Sequence, residues 1–405
     1  MKILSFLNVS NSQRISCDSG YIFQRLIAPQ LVAAGHQFIF ASPVTIDGIS
    51  EPGYRHFPLS FGRHKYEVRF TFPWSVIERL ISEEAPDVLW VNQPELAASL
   101  RALLSSMGSS ARIASYLHYF PYELDPDGQS IAADPAMNLD GYSDLIILKF
   151  LSGAMASDIV LVHSAHAAAL LKAGLKAFSL STKARIKVIP PPLDPALIPA
   201  RHTPFKDRSH LIYNHRLYTQ YGTETLVKYL QSGLGINDHE VVIMDILGQR
   251  SLERRKLDTT VEQFRHALAN IPGVRIDIGG NNRAYYGKVL ANCKLSIAPF
   301  RRTCPWSMSV VDCLAAGLPV IAQNYAFFPE IIPQKCLHDG SYAQFSELCR
   351  QLTSDEILWR ECSAAGRASV SHLTPEKIAA RLAEAFQADT CVRNEVQAST
   401  AANCA

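Results

Sequence analysis

With 405 residues, the chain is long enough for two domains that each bury a full core, at roughly 100–200 residues per domain. Its 19% charged and 48% hydrophobic content excludes a disordered or fibrous chain, and a formal charge of +2 is too small for a general nucleic-acid binder. Nine cysteines, an odd number with no Cys-x-x-Cys pair and no metal-ligand spacing, fit a reduced, cytoplasmic protein rather than a disulfide framework.

The N-terminal MKILSFLNVS carries one basic residue and an apolar run too short for a signal peptide, and reads as a first buried strand. Short β-rich runs then alternate with helical stretches: a helix over 22–34, the strand HQFIFAS, a helix over 74–84 and the strand PDVLWVN. ARIASYLHY, the helix LIILKFLSGAMA, the strand SDIVLVHS, a helix over 165–174 and the strand ARIKVIPPPLD follow. Such alternation predicts βαβ units and a parallel sheet. The triple proline at 190–192 marks a domain boundary, because proline has no N–H to donate to a continuing central strand.

The second half repeats the design with SHLIYNHRL, a helix over 223–231, EVVIMDILG, a helix over 261–270, GVRIDIGG, a helix over 284–292 and KLSIAPF. A helix over 307–316, the strand LPVIAQN and amphipathic helices over 342–352 and 375–386 complete it. The expected division is therefore an α/β chain of two doubly wound, Rossmann-like domains, 1–192 and 193–370. A helix in 371–388 packs back toward the first domain, and 389–405 form a frayed tail without an apolar period. No apolar run approaches the roughly 18–20 residues of a spanning helix, so membrane contact is peripheral at most. Two such domains facing each other place the carboxyl ends of both sheets at a shared cleft, where ligands bind in open α/β sheets.

The strongest motif is PWSMSVVDCLAAGLPVIAQNYAFFPEII, residues 305–332. A loop feeds a helix whose N–H groups at Ser307, Met308 and Ser309, with the positive end of the helix dipole, suit a diphosphate. A helix merely packed under a sheet would read the same way. The stretch resembles the donor-binding signature of the retaining GT-B glycosyltransferases, the glycogen-synthase-like and sucrose-synthase-like group, in which two glutamates separated by seven residues precede Ala-x-Gly-x-Pro-Val. Asp312 falls on the second glutamate, which implies hydrogen bonds to the donor ribose. Cys304 holds the place of the first, near the donor sugar, and cannot offer the same acceptor geometry.

HLIYNHRLYTQYGTETL, residues 210–226, resembles the family's strand, Gly-Arg-Leu and downstream lysine. Arg216 then takes the phosphate-binding role, its fixed fork suiting a diphosphate that gains charge as the glycosidic bond breaks. Tyr221 replaces the lysine, with His215, Arg301 or Arg302 as candidates to make up the lost cation. Gly279, at the end of GVRIDIGG, joins the donor set.

The N-terminal half is similar more loosely. Gly20 would let the backbone approach the donor phosphates or sugar. His118 in SYLHYF sits where similar enzymes have a histidine facing the donor sugar, a core histidine bonded to backbone being the alternative. Asp18 would be the base of an inverting enzyme, or else a helix cap. His163 and His166 occupy a strand-to-helix turn without further ligands, which favours capping or acceptor contact over a metal site. The resemblance implies metal-independent hexosyl transfer with retention from a nucleoside-diphosphate sugar, a UDP-sugar favoured, with no cofactor beyond that co-substrate.

On the acceptor side, residues 54–74 interleave Arg63, Lys65 and Arg69 with aromatic side chains, and Tyr122 lies in the long segment 121–144. Basic groups hold phosphates while aromatics stack on bases or enter a lipid interface. DNA bearing hydroxymethylated pyrimidines fits that cluster; a lipid-linked or small-molecule acceptor fits equally, and so does a strand with buried aromatics and solvated charges. A sugar-nucleotide epimerase and a non-catalytic nucleotide-sugar-binding protein are the readings outside glycosyl transfer.

Overall fold

A computed structural model describes residues 1–10, 18–63, 65–124, 131–133, 141–199, 203–233, 239–244, 259–277 and 283–387. In the first half the order is β1 (Lys2–Phe6), α1 (Ser19–Ala33), β2 (Gln37–Ser42), β3 (Tyr54–Pro58), α2 (Lys65–Phe70), α3 (Trp74–Glu84), β4 (Val88–Val91) and α4 (Ala97–Ser106). β5 (Arg112–Tyr116), β6 (Tyr122–Leu124), β7 (Ile131–Ala133), α5 (Ser143–Ala156), β8 (Ile159–Val162), α6 (Ala165–Ala177) and β9 (Arg185–Val188) follow. The second half runs β10 (His210–Tyr213), α7 (Thr223–Gln231), β11 (Glu240–Met244), α8 (Thr260–Ala269), β12 (Val274–Asp277), α9 (Arg283–Asn292) and β13 (Cys293–Ala298). It continues through α10 (Met308–Ala315), β14 (Val320–Gln323), α11 (Phe328–Ile331), β15 (Leu337–His338), α12 (Tyr342–Ser354), α13 (Glu356–Val370) and α14 (Pro375–Gln387).

Two parallel sheets result, in the orders β3-β2-β1-β4-β5-β8-β9 and β12-β11-β10-β13-β14-β15. Central strands such as VLWV, IVLV and CKLSIA are buried at every residue, because helices cover both faces and a continuous apolar run replaces alternation. The order reverses beside β1 in one sheet and beside β10 in the other, which opens a crevice at the carboxyl end of each.

The segment read as one long loop contains the antiparallel pair β6–β7. Helix α13 has no counterpart in the sequence reading. Its inward face carries Ser363 and Gly366 beside Trp359 and Cys362, and a Cβ on Gly366 would stand 2.8 Å from Leu314 Cδ2. Small residues chosen for close helix packing weaken the apolar period that would reveal the helix.

The domains are tied together away from the crevices. Leu193 N donates to Leu373 O at 2.8 Å, and α14 lies against α1. Phe386 packs edge-on to Trp90, and Arg381 Nη2 donates to Val188 O at 2.7 Å. No helix among the described residues is long and apolar enough to cross a membrane.

Candidate active site

One cavity lies where the carboxyl ends of both sheets meet, lined from the first domain by residues after β5 and β8 and from the second by residues after β10 and at the start of α10. Helix α10 begins at Ser307, whose extended backbone and Oγ, accepting from Val310 N at 3.4 Å, make it the N-cap. Ser307, Met308, Ser309 and Asp312 all line the cavity, so the positive end of the helix faces it. Gly317, with φ of +80°, closes the helix in the left-handed conformation.

Asp312 does not stand alone. Arg283, the first residue of α9, reaches its two oxygens with Nη1 and Nη2, each at 3.3 Å. The same guanidinium gives Nε to Asp194 Oδ2 at 3.0 Å, and Arg25 on α1 adds a bond to that oxygen at 3.2 Å. Burial pushes the Asp312 carboxyl up, while the Arg283 charge pulls it back toward the ionised form. Neither Arg283 nor Asp194 was legible as a site residue. The one opens a helix and the other follows a proline linker, and only folding brings them together.

Arg216 follows β10 and lines the cavity. Its carbonyl accepts from Tyr213 Oη at 2.9 Å and its N–H donates to His215 Nδ1 at 2.8 Å. Tyr221 lines the cavity with its ring centroid 3.8 Å from that of His215, which also meets Phe300. Burial lowers His215 to about 3, so it is neutral and does not replace the lost lysine charge. Arg301 contacts Glu123, and the Arg302 carbonyl pairs with His166 Nε2 at 2.7 Å, so both residues are engaged in contacts between the domains. Cys304 lines the cavity as a thiol: burial pushes it up to about 12, and Sγ donates to Trp306 O at 3.3 Å.

His118 and His163 form the opposite wall, their rings 5.4 Å apart. Burial lowers His118 to about 3 and His163 well below its usual value, so both are neutral. His118 Nε2, His163 Nδ1 and Trp306 Nε1 are buried and have no hydrogen-bond partner among the described residues. Buried polar atoms of this kind call for a partner, and on a cavity wall a ligand can supply it. The turn that sets His163 is anchored across the cleft by Ser164 Oγ, which donates to Pro305 O at 2.8 Å. Ala165 N and His166 N donate to Glu330, and His166 thus serves the domain contact.

These buried histidines give a pH prediction. Their folded values lie below the roughly 6.5 of an unfolded histidine, so the unfolded chain binds more protons as pH falls below that value. Each of His118, His163 and His215 therefore costs about 1.4 kcal/mol of stability per pH unit once pH drops below roughly 6. Urea midpoints should fall between pH 7.5 and pH 5.5, and His118→Gln should flatten the slope; an unchanged slope would place His118 in water.

Other expected site residues stand elsewhere. Asp18 Oδ1 accepts from Gly20 N at 2.8 Å and Tyr21 N at 3.3 Å, which makes it the N-cap of α1. A Cβ on Gly20 would meet Asn92 Oδ1 at 2.5 Å, and its neighbour Ser19 lines the cavity. Arg69 is buried, with Nε 3.3 Å from Glu95 and its guanidinium over the Tyr119 ring. Tyr122 is fully buried, donates to Leu170 O at 3.0 Å and packs where a Cβ on Gly174 would collide with it. Neither is available to an acceptor, whereas Phe70 and Trp74 of the strip 54–74 are exposed. Arg63 is exposed and its N–H meets Glu67, Lys65 opens α2, and Gly279 lies outside the described residues.

Two doubly wound domains with their sheet ends at one cleft define the GT-B fold of glycosyltransferases. The chain superposes on sucrose-phosphate synthase from Thermosynechococcus elongatus with a TM-score of 0.71 and 16% identity, covering 97% of this chain and 100% of that one. HepE of Anabaena, solved in complex with UDP, gives 0.68 and 14% over 96% and 100%. The UDP-forming α,α-trehalose-phosphate synthase from Burkholderia xenovorans gives 0.65 and 10% over 95% and 98%. At these identities the likeness is one of fold. The sequence matches no family model and no curated protein.

Proposed function

We propose that the protein transfers a hexosyl group from a nucleoside-diphosphate sugar, a UDP-sugar favoured, to an acceptor hydroxyl with retention. The observation that carries this reading is the convergence of the α10 N-terminus, Asp312 and Arg216 on one cavity whose far wall holds the orphaned nitrogens of His118 and His163. Arg216 and the N–H groups of α10 hold the diphosphate, Asp312 accepts from a ribose hydroxyl, and the neutral histidines bond the sugar hydroxyls. As the bond from the anomeric carbon to the phosphate oxygen breaks, the acceptor oxygen bonds to that carbon from the same face. Its proton passes to the departing diphosphate oxygen. The comparison with HepE, which was solved with UDP, supports uridine as the base.

A small or lipid-linked hydroxyl acceptor fits better than hydroxymethylated pyrimidines in DNA, because Arg69 and Tyr122 are committed inside the domain. Binding to DNA should be undetectable at 50 mM salt; salt-dependent binding with a steep slope would restore the polyanionic acceptor. The direct test incubates the protein with labelled UDP- and GDP-sugars and a cell extract and counts label in lipid, nucleic-acid, protein and small-molecule fractions. Label in one acceptor fraction supports transfer. Altered free sugar without acceptor would indicate an epimerase, and donor binding without turnover a binding protein.

A further inference from the structure

Four charged side chains form a chain from the first domain to the donor helix: Arg25 on α1, Asp194 in the linker, Arg283 on α9 and Asp312 on α10. Both carboxylates are buried, at 3% and 6% side-chain exposure, while Arg283 keeps 28% and lines the cavity. The signs balance, two cations against two anions, which is how buried charge is tolerated.

The distances rank the contacts. Arg283 approaches Asp194 at 2.9 Å and 3.0 Å through Nη2 and Nε, but Asp312 only at 3.3 Å through its Nη edge. The linker carboxylate therefore fixes the guanidinium, which in turn fixes the carboxylate of the donor helix. Asp194 is itself held on both sides, since Oδ1 accepts from Ala196 N at 3.1 Å and Oδ2 from Arg25. An ionised carboxylate has about four lone-pair directions, so Asp312, with two taken by Arg283 and one by Tyr286, still has one open to a ribose hydroxyl, provided its plane is fixed.

Resting on the donor reading above, we propose that Arg283 is a positioning residue for the donor ribose: oriented by Asp194 of the interdomain linker, it sets the Asp312 carboxylate that reads a ribose hydroxyl. Recognition of the nucleoside then depends on a residue that acts through the Asp312 carboxylate. It also depends on the junction between the domains, because Arg25 and Asp194 meet there.

The test compares calorimetric affinity for UDP with that for 2′,3′-dideoxy-UDP, which lacks both ribose hydroxyls. The wild-type protein should prefer UDP by about 10–100-fold, the range of charged hydrogen bonds lost without replacement. Asp312→Ala should abolish the preference. Asp194→Asn and Arg283→Gln should reduce it to within about threefold while affinity for the dideoxy nucleotide stays as in the wild type, a pattern that general loss of structure would not give. A full preference retained in Asp194→Asn overturns the inference and leaves the donor site standing. If Asp194→Asn loses both nucleotides, Arg283→Lys decides: one ammonium cannot hold two carboxylates through separate edges, so a retained preference there also overturns it. Wild-type protein that binds neither UDP nor GDP overturns the donor reading and this inference together.

Discussion

Arg216→Ala is expected to lower kcat for hexosyl transfer by about 10²–10³-fold, the usual effect of removing one preorganised group aimed at developing charge. The diphosphate carries more negative charge as it departs than it does when bound, so part of the Arg216 interaction exists only in the transition state. Arg283, the other arginine lining the cavity among the described residues, is tied to Asp194 and Asp312. Tyr221 stands where similar proteins have a lysine, and His215 is held neutral by burial. Donor affinity should fall as well, with a charged hydrogen bond worth about 1.5–3 kcal/mol. Arg216→Lys should recover part of the affinity but less of the rate, since an ammonium lacks the two-pronged geometry. Steady-state kinetics with the labelled donor separate the two effects. Activity and donor affinity within threefold of wild type in Arg216→Ala would remove this residue from the site.

Much of this site could be read from the sequence because the relevant residues are close together in it. Ser307, Met308, Ser309 and Asp312 share one helix, so cap, dipole and carboxylate are fixed by local rules. His118 was legible for a related reason, lying just past the end of a predicted strand in a fold whose strand ends face ligands. The Arg25–Asp194–Arg283 chain was not, since its members are far apart in sequence and carry no motif. Two members of the acceptor cluster, Arg69 and Tyr122, were hidden for the opposite reason. Alternating basic and aromatic residues look like an exposed binding strip, but Arg69 found Glu95 and Tyr119, and Tyr122 found the Leu170 carbonyl. Charge in a sequence does not report its partner, and an aromatic next to a cation is as compatible with a buried pair as with a nucleic-acid platform.

Gly222→Ala is expected to be the most damaging single-methyl change near the site. Gly222 has φ of +71°, and a Cβ there would lie 1.7 Å from the Pro299 carbonyl oxygen and 2.6 Å from its carbon. Both obstacles are backbone, so no rotamer change relieves them. The left-handed conformation costs a non-glycine residue roughly 1–2 kcal/mol, and overpacking adds about 1–3 kcal/mol, for a total of about 2–5 kcal/mol. The strain falls between the short turn that carries Tyr221 and the start of α7, beside the strand end that leads to Phe300 and Cys304. Relief by shifting either segment would move Tyr221, so donor binding should weaken together with stability. Gly35→Ala supplies the control: its φ is +81°, but nothing lies within 4 Å of the added Cβ, so only the conformational cost of roughly 1–2 kcal/mol applies. Urea denaturation of both variants isolates the steric term as their difference, about 1–3 kcal/mol. Equal losses would mean that the approach of Gly222 to Pro299 is looser than described, and that the turn carrying Tyr221 is free to move relative to β13.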